Sequence, residues 1–142
     1  QDAPSIEMVE NAARQLKAFI NPNLIRIARE NVTNRPIGFC LVLPDYNQVF
    51  KKTKGRLKLL TFLREKKRIT KARGMMQYII PEYQNGGLIG FMYQVIFEEF
   101  EKIGIYEFEA GTMMEDNPKP INAFTKFGGE IIKVYRLYGK EI

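Results

Sequence analysis

The residues whose spacing most directly suggests chemistry form a glycine-rich turn between an apolar run and a helical pattern. The apolar run at residues 75–80 ends at Pro81, Gly86 and Gly87 follow, and Leu88 begins apolar residues at helical spacing. A helix that starts after free backbone amides binds anions, because its first N–H groups lack intrahelical acceptors and its dipole is positive there. The turn therefore predicts a phosphate-binding site, with an ordinary strand-to-helix connection as the alternative.

The chain has no histidine and one cysteine, Cys40. This composition excludes Ser-His-Asp and Cys-His nucleophile systems and any zinc site that contains histidine. Acid–base chemistry must therefore use carboxylates, tyrosine, lysine or water. Cys40 lies in an apolar run and can form no internal disulfide, so we expect it to pack in the core.

The positive charge is concentrated in one segment. Residues 51–73 contain eleven Lys and Arg against one acid, Glu65, a net +10, whereas the rest has eleven bases against fifteen acids, a net −4. Such a segment can contact a phosphorylated cofactor, nucleic acid, an acidic protein or an anionic membrane surface, or it is simply solvated. Its one aromatic residue, Phe62, does not supply the interleaved rings of single-strand binders, which disfavours nucleic acid.

Periodicity predicts the elements that must position the turn. Apolar residues at helical spacing predict a helix from residue 6 to residue 20, with residues 2–5 as its cap and first turn. A strand at 24–30 and a buried strand at 37–43, joined by a polar turn at 32–35, predict a hairpin. Leu57, Leu60 and Leu63 predict a short helix in the basic segment, with charges outward.

The second half of the chain continues the alternation. A helix from Leu88 ends at Gly104, a strand follows at 105–114, a helix at 117–127 and a final strand at 131–138. This order predicts one α/β domain over residues 1–142 on a mixed sheet. No apolar run reaches the ~18 residues that a membrane span needs, and no signal peptide is visible, so we expect a soluble, cytoplasmic protein.

Four motifs in this order resemble the acyl-CoA-binding core of the GNAT N-acetyltransferase superfamily. They are the stretch at 79–90, a helix that ends in Glu101-Lys-Ile-Gly104, the strand with Glu109 that leads to Asn117, and the ending at 124–138. The resemblance spans about residues 36–142 and is strongest to a bacterial GNAT-like subgroup, whose members are often longer than this chain. It implies a mixed, mostly antiparallel sheet with a splayed central strand pair and flanking helices.

The resemblance also implies the residues that hold acetyl-CoA or another acyl-CoA, without a metal. Pyrophosphate would bind at residues 84–90, pantetheine along the strand edge, and an amide of Ile79 or Ile80 would polarise the thioester carbonyl. Asn117 would lie near the thiol. The implied cofactor-binding residues are Gln77, Ile79, Ile80, Gln84, Asn85, Gly86, Gly87, Leu88, Ile89, Gly90, Asn117 and Phe124.

Two positions depart from the family pattern. Ile89 stands where a second small residue is expected, and its side chain could crowd the phosphates. Phe124 stands where many members have a tyrosine that protonates the leaving thiolate, and phenylalanine has no proton to give. Three tyrosines are candidate substitutes, with core packing as the alternative for each: Tyr78, Tyr135 and Tyr138.

Glu109 is the candidate general base that would deprotonate the amine, as water-linked carboxylates do in the family. It shares one strand face with Glu107 by period-two alternation and lies among apolar residues, where burial would favour the protonated carboxyl. The equal alternative is a buried ion-pair partner of Arg136 or Lys133.

These residues together predict an N-acyltransferase that transfers the acyl group directly to a small-molecule amine in a ternary complex. The alternative is a catalytically inactive GNAT-fold module that binds acyl-CoA, or an acidic partner through residues 51–73. We expect no specific nucleic-acid partner, and a homodimer and an anionic partner stay open.

Overall fold

Four strands form one sheet in chain order in the computed structural model, which describes residues 5–17, 19–53 and 59–139, without the side chains of 59–61 and 63. The strands are β1 (Ile25–Arg29), β2 (Pro36–Pro44), β3 (Lys71–Ile79) and β4 (Glu107–Glu109). β1, β2 and β3 pair antiparallel, and β3 pairs parallel with β4. The mixed, mostly antiparallel sheet predicted from the sequence is therefore confirmed.

Five α-helices accompany these strands in the described residues: α1 (Ile6–Leu16), α2 (Asn47–Lys52), α3 (Leu59–Lys66), α4 (Leu88–Ile103) and α5 (Pro118–Lys126). Ser5 caps α1, because its side-chain oxygen accepts a hydrogen bond from the Met8 N–H at 3.3 Å. α4 begins after Gly87 and ends at Gly104, both with positive φ, as the two glycines predict. Residues 2–4 of the predicted cap lie outside the described residues.

One face of the sheet packs against α4. The side chains between them include Cys40, Val42, Met92, Tyr93 and Ile96, which are all buried. Tyr46, Val49 and Ile69 form a second apolar cluster with Phe19, Phe50 and Phe62 beside it. Phe62 thus places its ring in the core, as the predicted helix of the basic segment requires, whereas Leu57 and the side chains of Leu60 and Leu63 lie outside the described residues.

Two predicted strands are wrong, and one helix was missed. The strand predicted at 105–114 covers Glu107–Glu109 alone, because Gly111 has a φ of +86° that an extended strand does not adopt. The final strand predicted at 131–138 has no regular secondary structure, and its apolar side chains are exposed. α2 was not predicted, because its six residues follow a turn signal and carry too little periodicity.

The chain divides into two compact units, one up to Gly111 and one from Thr112 onward. The first unit contains the sheet and α1 to α4, and the second contains α5. In the described residues, no helix is long and apolar enough to cross a membrane.

Candidate functional site

β3 and β4 part soon after they meet. Their pairing covers Lys71 with Glu107 through Arg73 with Glu109, and β3 then continues to Ile79. A Cβ on Gly111 would lie 2.6 Å from the Gly74 carbonyl oxygen, so the chain after β4 passes β3 closely at this point. The pairing with β4 does not extend along β3 beyond Arg73 in the described part of the chain, and one edge of this strand stays open.

The peptide groups of Ile79 point toward the open edge of β3, whereas the Ile80 N–H points toward β2. The Ile80 N–H donates to the Ile37 carbonyl at 3.0 Å, which commits it to β2. Because hydrogen-bonded and non-hydrogen-bonded pairs alternate in an antiparallel ladder, Ile79 faces Gly38 without hydrogen bonds and its N–H points away from β2. The Ile79 carbonyl accepts from Gln84 Nε2 at 3.0 Å, so Gln84 links this edge to the glycine turn.

The glycine turn leads directly into the first turn of α4. Gly87 is the N-cap residue with a φ of +74°, and the Phe91 N–H donates to its carbonyl at 3.1 Å. The N–H groups of Leu88, Ile89 and Gly90 precede this bond and have no acceptor within the helix. A depression of about 420 Å³ lies over the turn, lined by Ile37, Glu82, Tyr83, Asn85, Gly86, Gly87, Leu88 and Phe91.

This depression fits an anion through backbone amides and offers it no cation of its own. Ile89 is not among the lining residues, so its side chain does not fill the space above the turn. A Cβ at Gly87 would meet nothing within 4 Å, which leaves the turn accessible. The one charged side chain in the lining is Glu82, which would repel a phosphate.

A hydrogen bond joins the turn to the loop between β1 and β2. The Tyr83 hydroxyl donates to Glu30 Oε1 at 2.6 Å, and the Thr33 hydroxyl donates to the same carboxylate. These two bonds lower the pKa of Glu30, with the Thr33 bond as the larger cause. The bond to Glu30 likewise raises the pKa of Tyr83. The connection is therefore strongest at neutral pH, where the carboxylate is charged and the phenol is not.

Glu109 forms an ion pair with Arg73, with 2.9 Å between Oε1 and Nη2. Both side chains are about 35% exposed, so the deep burial expected for Glu109 is not present. Leu43 pairs with Arg73, and Arg73 pairs with Glu109, so these three side chains lie on one face of the sheet. This face is opposite the one that α4 covers. Glu107 forms the equivalent pair with Lys71 two residues earlier.

A β-bulge at Met75 was missed in the sequence. Leu41 pairs with Met76 and Val42 with Gly74, so Met75 is the extra residue on β3. A bulge interrupts the ladder and frees local peptide groups, and Gly74 inside a strand pattern was its one visible signal. Arg73 and Ile79 are about 20 Å apart along an extended strand, so Glu109 lies near the bulge and far from Ile79.

α4 packs on the face of β3 that is opposite Glu109. The Tyr93 hydroxyl donates to Gln77 Oε1 at 2.7 Å, and its ring lies 5.5 Å from that of Phe108. Burial raises the pKa of Cys40, which also contacts Tyr93, to about 11. Gln77 therefore turns its side chain into the protein, and the backbone of this residue is what the edge presents.

Four other candidate residues are placed as follows. Tyr78 lies on the open face of β3 and is half exposed. In the second unit, Asn117 is the N-cap residue of α5, but its side chain makes no capping hydrogen bond. Phe124 is a half-buried residue of α5. Tyr135 is exposed and does not belong to a strand.

Comparison with solved structures shows which known structures share this fold. Over 98% of its length the chain matches 83% of the aminoglycoside 6'-N-acetyltransferase AAC(6')-Ih from Acinetobacter baumannii, with a TM-score of 0.65 and 16% identity. It also matches 82% of an acetyltransferase from Trypanosoma brucei, with a TM-score of 0.60 and 14% identity. AAC(6')-IG from Acinetobacter haemolyticus matches over 85% of its own length, with a TM-score of 0.62 and 11% identity.

The chain therefore has the fold of the GNAT acetyltransferases, as the sequence motifs predicted. No protein-family model and no curated protein sequence matches it. In the described residues, no group of three or more Cys, Asp or Glu side chains could hold a metal ion.

Proposed function

We propose that the protein is an acyl-CoA-dependent N-acyltransferase that transfers an acetyl group to a primary amine of a small molecule, directly in a ternary complex. The observation that supports this best is the open edge of β3, which runs from the parting of β3 and β4 to the amide turn at α4. A strand edge followed by a helix N-terminus offers hydrogen bonds to an extended amide chain that ends in a pyrophosphate.

The length of the pantetheine arm indicates where the thioester would lie. An extended arm spans about 15 Å between pyrophosphate and sulfur, comparable to four or five residues of chain. With pyrophosphate at residues 85–90, the arm passes the peptide groups of Ile79 and Gln77 and ends near Met75. Peptide groups at the bulge are then the donors for the thioester carbonyl, in place of the Ile79 or Ile80 amides proposed from the sequence.

Glu109 has a defined role in this arrangement. Its carboxylate lies at the base of the open edge, close to the bulge, where it can accept a proton from the amine through water. The amine nitrogen forms a bond to the carbonyl carbon, the carbon–sulfur bond breaks, and CoA leaves as a thiolate. Water protonates the thiolate in this proposal, because Phe124 has no proton to donate.

The second candidate function is an inactive module that binds acyl-CoA. Phe124 at the position of the family acid favours it, as does the engagement of Glu109 with Arg73. Calorimetry with acetyl-CoA and CoA, followed by thiol release across a panel of amines, separates the two. Binding without thiol release supports the module, and absence of binding contradicts both functions.

Two variants test the assigned residues. We expect Glu109→Gln to lower kcat by about 10²–10⁴-fold at unchanged CoA affinity, as for a general base. Glu107→Gln is the matched control, because Glu107 lies on the same strand and face and forms the same kind of ion pair. Equal losses in both variants would mean that Glu109 acts through the ion pair alone.

Gly87→Ala tests the turn. Its added methyl group would extend into the depression from a residue with positive φ, so we expect CoA affinity to fall about tenfold or more. Gly139→Ala is the control, because a Cβ there meets nothing within 4 Å and φ is not positive.

A further inference from the structure

An apolar depression of about 280 Å³ lies on the open face of the sheet and shares Ile37 with the depression over the glycine turn. Its lining contains no charged residue and consists of Ile27, Pro36, Ile37, Gly38, Phe39, Tyr78 and Ile80. Ile27, Phe39 and Tyr78 form one row across three strands, because Ile27 pairs with Phe39 and Phe39 with Tyr78. Pockets that take the body of a small molecule are mostly apolar in this way.

The apolar surface extends from the depression toward the bulge. Met76 precedes Tyr78 on the same face, about 7 Å away along the strand, and pairs with Leu41. Ile27, Met76 and Tyr78 are 56%, 58% and 50% exposed, which is unusual for large apolar side chains that lie side by side. This surface reaches from the depression to the region where the proposed thioester lies.

Among the described residues of the first unit, α4 covers one face of the sheet beside β3 and leaves the other face open to an amine. A carbonyl that is bound at the edge of β3 can be attacked from above or below the plane of the sheet. Tyr93 of α4 closes one side through its bond to Gln77 and its contact with Phe108. We therefore expect the nucleophile to arrive from the side that carries Met76, Tyr78 and Glu109.

The charges on this face do not favour a polycationic acceptor. Arg29 follows Ile27 on the same face of β1, with its Nη1 donating to the Asn34 carbonyl at 2.9 Å. The two carboxylates that β4 adds to this face, Glu107 and Glu109, are engaged with Lys71 and Arg73. They are therefore not free to bind several ammonium groups of one molecule, whereas a single amine that becomes neutral before it reacts needs no such partner.

We infer that the acceptor is a monoamine with an aromatic or aliphatic body about 7–10 Å long, and that an aminoglycoside is a poor acceptor. This inference rests on the proposed N-acyltransferase function. The body lies over Met76 and Tyr78 with its far end between Ile27 and Phe39, and the amine lies beside the bulge within reach of Glu109 through water.

The first experiment compares acceptors in the intact protein. Thiol release from acetyl-CoA is measured with phenethylamine, octylamine, ethanolamine and tobramycin at one pH. We expect kcat/KM for phenethylamine and octylamine to exceed that for ethanolamine and tobramycin by at least about tenfold, because apolar burial favours the first two. Equal or better use of tobramycin overturns the inference and leaves the acyltransferase function standing.

The second experiment tests the depression directly. Ile27→Glu adds a carboxylate to an exposed position of β1, and we expect it to raise KM for octylamine about tenfold with KM for acetyl-CoA unchanged. Val32→Glu is the control, because Val32 is exposed in the loop between β1 and β2 and outside the depression. A change in CoA affinity or in oligomeric state in Ile27→Glu, with octylamine use unaffected, would assign the surface to the cofactor or to a second copy and overturn the inference.

Amine binding is also measured without turnover, by calorimetry of octylamine against the CoA complex. We expect saturable binding that Ile27→Glu weakens. Failure of wild type to bind CoA at all contradicts the proposed function itself, whereas CoA binding without octylamine binding contradicts this inference alone.

Discussion

At the scale of single residues, the hydroxyl of Tyr83 connects the turn at the head of α4 to the β1–β2 loop through Glu30. Removal of this hydroxyl leaves the turn without its connection, so the amides of the proposed phosphate site lose a fixed orientation. We expect Tyr83→Phe to raise the Kd for CoA severalfold at pH 7, with kcat at saturating acetyl-CoA unchanged. Calorimetry and steady-state kinetics measure the two quantities.

The control for Tyr83→Phe is Tyr106→Phe, which removes an exposed hydroxyl far along the chain from the turn. Glu30→Gln is the second variant, because an amide still accepts the bond but without the charge that strengthens it. We expect its effect to be smaller than that of Tyr83→Phe. An unchanged Kd in Tyr83→Phe would show that the turn holds its shape without the hairpin.

Cys40 provides a prediction about reactivity. The thiol is fully buried, and burial raises its pKa to about 11, so the nucleophilic thiolate is rare at neutral pH. We expect alkylation at pH 8 to be at least about a hundredfold slower in the native protein than in urea. Rapid modification of the native protein would contradict the buried position. Because Cys40 is the one cysteine, an unreactive thiol also leaves thiol-release assays of CoA without background.

At the scale of elements, the parting of β3 and β4 depends on two glycines that touch. Gly111 has a φ of +86°, and a Cβ there would lie 2.6 Å from the Gly74 carbonyl oxygen. We therefore expect Gly111→Ala to destabilise the protein by about 1–3 kcal/mol, from backbone strain and displacement of β3. Urea unfolding measures this change.

Gly139→Ala is again the matched control for Gly111→Ala, because its Cβ meets no atom within 4 Å. A stability loss confined to Gly111→Ala, accompanied by weaker CoA binding, would connect the crossing point to the proposed site. Wild-type stability in Gly111→Ala would mean that the two strands pass at a greater distance.

Elements with strong local signals were predicted well from the sequence. The glycines at the two ends of α4 and the polar turn between β1 and β2 are local signals, and the bounds of α4 and the hairpin were predicted correctly from them. The first helix was predicted to reach residue 20, whereas α1 ends at Leu16. The segment at 131–138 has the β-branched and aromatic residues that strands favour, but a strand also needs a partner ladder, which composition does not specify. β4 is shorter than predicted because Gly111 has a positive φ where it passes close to Gly74. The sequence does not reveal this approach, because it brings together residues that are distant along the chain.

The candidate site, like the fold, was predictable from the sequence only where its signals are local. The amide turn came from local glycine spacing, whereas the partner of Glu109 and the bulge at Met75 arise from pairing between distant strands. Arg73 was counted in the basic segment, because periodicity does not reveal which acidic side chain pairs with which basic one. The apolar depression combines side chains of three strands and had no sequence signal.

At the scale of the whole molecule, much of the positive segment is internally compensated. Glu65 is buried and accepts from Lys52 at 2.8 Å, with Arg64 and Arg68 at 3.3 and 3.5 Å. Lys71 and Arg73 belong to β3 and pair with Glu107 and Glu109. The segment therefore presents less free charge than its composition indicates, and we expect weak nucleic-acid binding with a shallow salt dependence.

The Glu65 cluster makes a prediction about pH. The hydrogen bond from Lys52, followed by the charges of Arg68 and Arg64, lowers the pKa of Glu65 against the opposing effect of burial. A carboxyl whose pKa is lower in the folded state stabilises the protein above its unfolded pKa and loses this effect as pH falls through the folded value. Wild type should thus lose stability below about pH 4.5, and Glu65→Gln should lack this part of the loss.

Urea midpoints at pH 7 and at about pH 3 measure the difference, with Glu101→Gln on the exposed side of α4 as control. At pH 7, Glu65→Gln leaves three cations around a buried neutral amide, so its midpoint should lie well below that of wild type. As pH falls toward the lowered pKa of Glu65, the wild-type carboxyl takes up a proton and becomes neutral, so the gap between the two midpoints should narrow, whereas Glu101→Gln should follow wild type throughout. A gap between wild type and Glu65→Gln that stays constant with pH would mean that the side chain contributes by packing and not by its charge.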